Sequence, residues 1–414
     1  MPGDMKMKDG SSAYLQGLLD KANSDSFEVS EPDNKPLDEN TASDEAISDD
    51  ARPHMTFGVE VEFFAFYVVR GASESRAELS RRYPGVIQVP DSVDEVKRAN
   101  YALRRLIRFF AQNTVDINDF NDINDTDSRP RPGPPTTTQY SANSSNPAYH
   151  RWTLEWEVSS YLTADHVLEE GLMPLNLELV SPAMTHHPAS YAEIYRVVDL
   201  LRTCVRIILN DTTGLHIHCG MGPDAIPFRF FRRIAFLLWT MDAVITLVHP
   251  AHRQNNDYCM RNRLHARVNE PPCDVVDGCR RISTCQNHSE LALQMSMNHA
   301  WGGAYDFENY VISTASDTIF EGKPTIEFRQ AAGSSNPEWI VLWAFLCVRM
   351  CGWAATDMDP EVLDYFIRRC QDVEDGEEYQ TSSLDHFLRM IGCEETLSYI
   401  RRTTHDERAN GEMN

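Results

Sequence analysis

Residues 57–64 read Phe57-Gly58-Val59-Glu60-Val61-Glu62-Phe63-Phe64. Successive side chains on a β-strand point to opposite faces. Phe57, Val59, Val61 and Phe63 therefore share one face, and Gly58, Glu60, Glu62 and Phe64 share the other. The first face demands a core, and the second sets two carboxylates side by side. The same rule sorts the segments downstream. Across Trp152 to Ser159, Glu155 and Glu157 oppose Leu154, Trp156 and Val158. Glu178 opposes Leu177 and Leu179, His216 and His218 oppose Leu215, Ile217 and Cys219, and Glu327 and Arg329 oppose Ile326 and Phe328. Each segment predicts a strand with one apolar face and one face rich in ionisable groups.

A lone Glu-x-Glu is an ordinary solvated face of an antiparallel sheet. The joint pattern is not ordinary, because glutamate is depleted in strands and carboxylates crowded together repel one another. If the strands share a sheet, their polar faces need cations. Divalent metal ions held by oxygen ligands meet that need, and Arg329 adds a fixed positive charge. Taken alone, His216 and His218 read equally well as a zinc pair or as buried, hydrogen-bonded imidazoles. Carboxylate-dominated surroundings favour magnesium or manganese over zinc.

Elsewhere the chain divides by composition. Residues 1–53 are rich in Asp, Glu, Ser and Asn and poor in large apolar side chains, which predicts a disordered acidic tail. Order is expected from 54 to 356, with a loop insertion at about 118–147 and an acidic, helical extension over 357–414. Helices are predicted over Glu95 to Gln112, Tyr191 to Leu209, Phe228 to Val248 and after Asn336, and strands over Leu175 to Val180 and Pro324 to Gln330. The Cys273 to Cys285 region reads as loop. Strands separated by helices, without a glycine-rich phosphate loop, indicate an α+β fold.

With 62 acidic and 38 basic residues the formal charge is −24, which argues against nucleic acid and membrane surfaces as partners. The most apolar runs, Phe228 to Val248 and Trp339 to Ala355, carry charged residues and read as buried helices rather than membrane spans. The Met1 end shows no basic segment leading into an apolar core, and ten cysteines without a C-x-x-C pair indicate reduced thiols; a cytoplasmic location is expected.

The run FGVEVEFF resembles the G-x-E-x-E-F opening strand of the glutamine synthetase and glutamate–cysteine ligase superfamily. The GLHIH run at 214–218 resembles its H-x-H strand, and TIEFRQ at 325–330 its I-E-F-R strand, in the same order. WTLEWEVSS, LELVSP and EFRQAAGSSNPEWIVLWAF look more specifically like the amidoligase family within that group. The resemblance spans about Thr56 to Ala355. It implies a curved, mostly antiparallel sheet with helices on its outer face, whose concave face holds ATP, Mg2+ or Mn2+, and substrate. It also implies that Glu60 and Glu62 ligate two different ions, His216 and Glu327 sharing the ion of Glu60 and Glu178 lying with the ion of Glu62. His218 would sit near the nucleotide and Arg329 at the transferred phosphoryl group. Glu157 stands where the amidoligase pattern usually has Asp, and Arg253, in RQNNDYC, corresponds to the family's R-x-x-x-x-Y-C segment, with a phosphate or substrate role.

The parts suit an ATP-dependent ligase that joins a carboxylate to an amine through an acyl phosphate. A carboxylate needs activation because its leaving group would otherwise be oxide, and a nearby carboxylate such as Glu157 can take the amine's proton. The acid and amine are left open: small molecules, peptides and protein side chains all fit, and so is the oligomeric state. Two other readings remain. One is a metal-dependent hydrolase or zinc protein built on His216, His218 and the Cys259, Cys273, Cys279 and Cys285 group. The other is a non-catalytic binding protein with the same fold.

Overall fold

The computed structural model describes residues 54–71, 73–118, 150–162, 169, 171–254, 256–297, 302–311, 323–358, 360–374 and 380–411. The acidic tail and nearly all of the expected loop insertion lie outside them.

The first strand, β1 (Thr56–Arg70), organises the sheet. On one side it pairs with β4 (Leu172–Val180) and β5 (Met184–Thr185), and on the other with β7 (Gly214–Gly220), β6 (Ile207–Ile208) and β2 (Ile87–Pro90). Beyond these lie β3 (Thr153–Trp156), outside β4, and β9 (Thr325–Ala332) and β8 (Tyr305–Asp306), outside β7. The main path of this open nine-stranded sheet runs β3-β4-β1-β7-β9-β8. Every pairing is antiparallel except β1 with β2. The fold is α+β, as the sequence predicts.

Alternation places Phe57, Val59, Val61, Phe63, Ala65 and Tyr67 in the main core. Val59, Val61 and Phe63 are completely buried, and burial of such side chains stabilises by about 2 kcal/mol each. Three long helices line that core: α3 (Pro188–Cys204), α4 (Phe228–Thr246) and α9 (Pro337–Thr356). Helix α9 is long and apolar enough to cross a membrane, yet 78% of its most apolar window is buried within the protein. Its start is fixed by Pro337 in the first turn and by Asn336, whose side chain accepts from the Glu338 amide. Cys347 and Cys351 are fully buried on it, as core residues should be.

The opposite face of β1 changes character along its length. Glu60 and Glu62 are followed by Phe64, Phe66 and Val68, which form a second cluster with Leu172 and with Leu79 and Tyr83. Leu79 belongs to α1 (Arg76–Arg82), a short helix closed by a capping box between Ser75 and Glu78. The acidic stretch is thus walled off at one end by apolar packing.

Several local expectations fail for identifiable reasons. β3 stops at Trp156, and Trp156 and Val158 are 39% and 60% exposed, because β3 is an edge strand that leaves the sheet before Val158. Most of the Cys273 to Cys285 region is helix α7 (Val275–Thr284), capped by the Asp274 side chain on the Asp277 amide. Its mid-helix Gly278 is a packing requirement: a Cβ there would collide with the Trp239 ring. The C-terminal region forms α10 (Pro360–Glu374), α11 (Gln380–Met390) and α12 (Glu394–Gly411). Phe366, Phe387, Leu388 and Leu397 from these helices enter the same main core.

Candidate active site

The polar faces meet in the middle of the sheet. Register sets Glu155 opposite Glu178, Glu178 opposite Glu62, and Glu60 opposite His216. His218 in turn lies opposite Glu327, and Glu327 opposite Asp306. Glu62, His216, His218 and Glu327 are all buried.

His216 stands at the centre. Its Nδ1 is 3.2 Å from Glu327 Oε1 and 3.8 Å from Glu60 Oε2, and its Nε2 is 3.5 Å from Glu62 Oε1. Gly214 permits this closeness: its amide donates to Glu62 Oε2 at 2.6 Å, and a Cβ there would fall 2.5 Å from His216 Nε2. His218 Nε2 is 3.0 Å from Glu60 Oε1 and 4.0 Å from Glu327 Oε1. Two cations complete the group. Lys323 Nζ lies 3.0 Å from Glu60 Oε1, and Arg329 Nη1 donates to Glu327 Oε1 at 2.6 Å.

A family model described as "Putative amidoligase enzyme" matches residues 53–351. The chain belongs to this amidoligase family. Membership places it among enzymes with ligase activity. No curated protein and no solved structure matches the chain.

In this amidoligase the carboxylates fall into two electrostatic classes. Burial works to raise Glu60, but the charges of nearby His218 and Lys323, with His216 close by, hold it well below the usual carboxylate range. Burial is likewise overcome at Glu327, by Arg329, His218 and His216. On the β3–β4 side the outcome reverses. Burial pushes Glu178 well up, and the charges of Glu60, Glu157, Glu155 and Glu62 push it further. Glu155 is raised chiefly by burial, as is Glu62 despite His216 and the Gly214 amide. Burial also lifts Asp306 to about 6, with Glu327 and Glu308 adding to it. Burial and Arg329 act to lower His216, but Glu62, Glu60 and Glu327 prevail and raise it.

The donor set suits a divalent cation. One ligand atom each from Glu60, His218 and Glu327 lie within 4.8 Å of one another, the sole such group of His, Cys, Asp or Glu among the described residues. His218 Nδ1 is 3.0 Å from Thr325 Oγ1, a contact that lets Nδ1 carry the proton and leaves Nε2 its lone pair. Nε2 is buried and, despite its nearness to Glu60, makes no hydrogen bond of acceptable geometry. An orphaned imidazole nitrogen between two carboxylates is a donor arrangement that a divalent ion could use. The cysteines do not compete: Cys259, Cys279 and Cys285 are buried free thiols, and none joins a candidate metal group among the described residues.

Two residues singled out in the sequence have other partners. Glu157 Oε1 accepts from the amides of Ser159 and Ser160, fixing the turn that ends β3. Arg253 is buried and donates to backbone carbonyls of β9. Conversely, the structure adds Lys323, Asp306 and Thr325 to the site. Thr325 shares the face of Glu327 by strand alternation, whereas Lys323 lies before the strand. Asp306 lies on a two-residue strand, too short for periodicity to reveal.

Proposed function

We propose that this amidoligase is an ATP-dependent carboxylate–amine ligase that forms an amide bond through an acyl phosphate. The observation that carries this reading is the buried Glu60–His218–Glu327 group with Arg329 bonded to Glu327. Mg2+ or Mn2+ bound there would neutralise the phosphates of ATP and stabilise charge on the moving phosphoryl group. Glu60, His218 and Glu327 would hold that ion. Glu62 and Glu178, raised in pKa and facing each other, are the candidates for a second. His216 bridges the two groups through its two ring nitrogens.

Arg329 has the role of gripping the transferred phosphoryl group. Its guanidinium stays protonated because Glu327, Asp306, Glu62 and Glu60 outweigh the effect of burial. A substrate carboxylate oxygen attacks the terminal phosphorus of ATP and ADP departs. The amine nitrogen then attacks the acyl carbon, phosphate leaves, and a site carboxylate, Glu157 or Glu155, accepts the proton. No enzyme nucleophile takes part, in keeping with thiols that burial renders inert, Cys219, Cys279 and Cys347 among them, all pushed upward in pKa. Candidate acids and amines are screened for ADP release with Mg2+ or Mn2+. Release that requires metal and both co-substrates is expected. Tightly retained zinc with no nucleotide turnover for any pair would overturn the reading.

A further inference from the structure

β9 is interrupted where it matters. Its pairing with β7 runs Leu215–Ala331 and then Ile217–Phe328, so His216 alone faces two residues, Arg329 and Gln330. This is a β-bulge, which bends a strand and re-aims its side chains. Ile326 and Phe328 enter the core before it and Ala331 after it. β8 pairs only with Glu327 and Phe328, so β9 has no β8 partner at the bulge itself. The Arg329 amide is satisfied by Ala304 O at 2.9 Å.

One side chain takes both bulge carbonyls. Arg253 Nη2 donates to Arg329 O at 2.7 Å, and Arg253 Nε to Gln330 O at 3.2 Å. Successive carbonyls of a flat strand point to opposite sides, so a single guanidinium spans both only where a bulge turns them together. Arg253 is 3% exposed, on the single-turn helix α5 (Ala251–Gln254). Its backbone is held in turn, its amide donating to Pro250 O at 2.9 Å and its carbonyl accepting from Cys259 Sγ at 3.4 Å. No carboxylate among the described residues forms an ion pair with it, so the backbone is the partner this buried cation serves.

We propose that Arg253 is a positioning residue that locks the bulge and thereby aims the Arg329 guanidinium at Glu327 and the reacting phosphoryl group. The effect on turnover rests on the ligase reading above; the lock itself does not. Lysine cannot replace it, since one nitrogen lacks the fork that reaches two carbonyls.

The test uses the full-length chain with Arg253→Met, Arg253→Lys, Arg329→Ala and the double variant Arg253→Met/Arg329→Ala. Hydrogen exchange should quicken by about tenfold or more at residues 329–331 in Arg253→Met, while 326–327 stay protected. Mn2+ affinity should remain within about twofold of wild type, and ADP release should fall by roughly thirtyfold in the wild-type background but by less than about twofold in the Arg329→Ala background. Arg253→Lys should show the same pattern, reduced, and replaces Arg253→Met should that variant not fold. Unchanged exchange at 329–331 overturns the lock. Independent, additive losses in the double variant overturn the positioning role. A wild-type protein without turnover on any acid and amine removes the ligase reading instead, and exchange alone then decides the lock.

Discussion

Glu60 and Glu178 are glutamates two register positions apart on adjacent strands of the same sheet face, yet their environments drive them in opposite directions. Glu60 is met by His218 and Lys323 and stays ionised. Glu178 is met by Glu62, Glu155 and Glu157 and resists ionisation. Burial opposes charge at both, so the partner supplied by the next strand decides the outcome. The β7–β9 half is partly compensated by the chain's own Lys323 and Arg329, whereas the carboxylates of the β3–β4 half chiefly face one another.

The sharpest way to break the comparison is to remove a carboxylate from the compensated half. Glu60→Ala or Glu327→Ala should lower ATP turnover by about 10²–10³-fold or more while leaving the protein folded, since neither side chain supports the apolar core. Wild-type turnover at saturating metal would dissolve the assignment. The histidines come next: His218→Ala should weaken Mn2+ binding by about 10–100-fold, more than His216→Ala does. The opposite order, read by titration calorimetry, would return the ligand role to His216.

Arg329→Lys tests the fixed cation of the β7–β9 half. Lysine keeps the charge but loses the planar fork, so kcat should fall by roughly tenfold or more with little change in metal affinity. Near wild-type kcat would make Arg329 a salt-bridge partner only. The smallest effect is expected at Asp306, whose pKa is lifted to about 6. A carboxyl raised above its unfolded value costs nothing below the unfolded pKa. As pH rises through the interval up to the folded pKa, stability falls, because the folded state holds a proton the unfolded state has lost. Asp306→Asn should therefore stabilise the metal-free protein at pH 7 by about 1–3 kcal/mol. The gain should vanish toward pH 4, and a gain that persists there in thermal unfolding would place its origin elsewhere.

Much of this site was legible before any coordinates. Strand alternation alone selects Glu60, Glu62, Glu155, Glu178, His216, His218, Glu327 and Arg329, because each lies in a segment long enough to display its period. Lys323 and Asp306 carry no such signal, and each is brought in by the path of the chain around β9. Trp156 and Val158 show the rule failing in the other direction, as apolar residues at correct spacing stay exposed because β3 has no outer neighbour.

The sequence by itself determined the α+β class, the amidoligase resemblance and which face of each strand is polar, because side-chain alternation is a local property of the backbone. Only the tertiary structure decided which carboxylates lie beside cations, that ligand atoms of Glu60, His218 and Glu327 come within 4.8 Å of one another, and that β9 bulges at Arg329 where Arg253 bonds its carbonyls. Those outcomes depend on register between strands distant in the chain and on hydrogen bonds from other elements. Neither leaves a periodic trace in the strand itself.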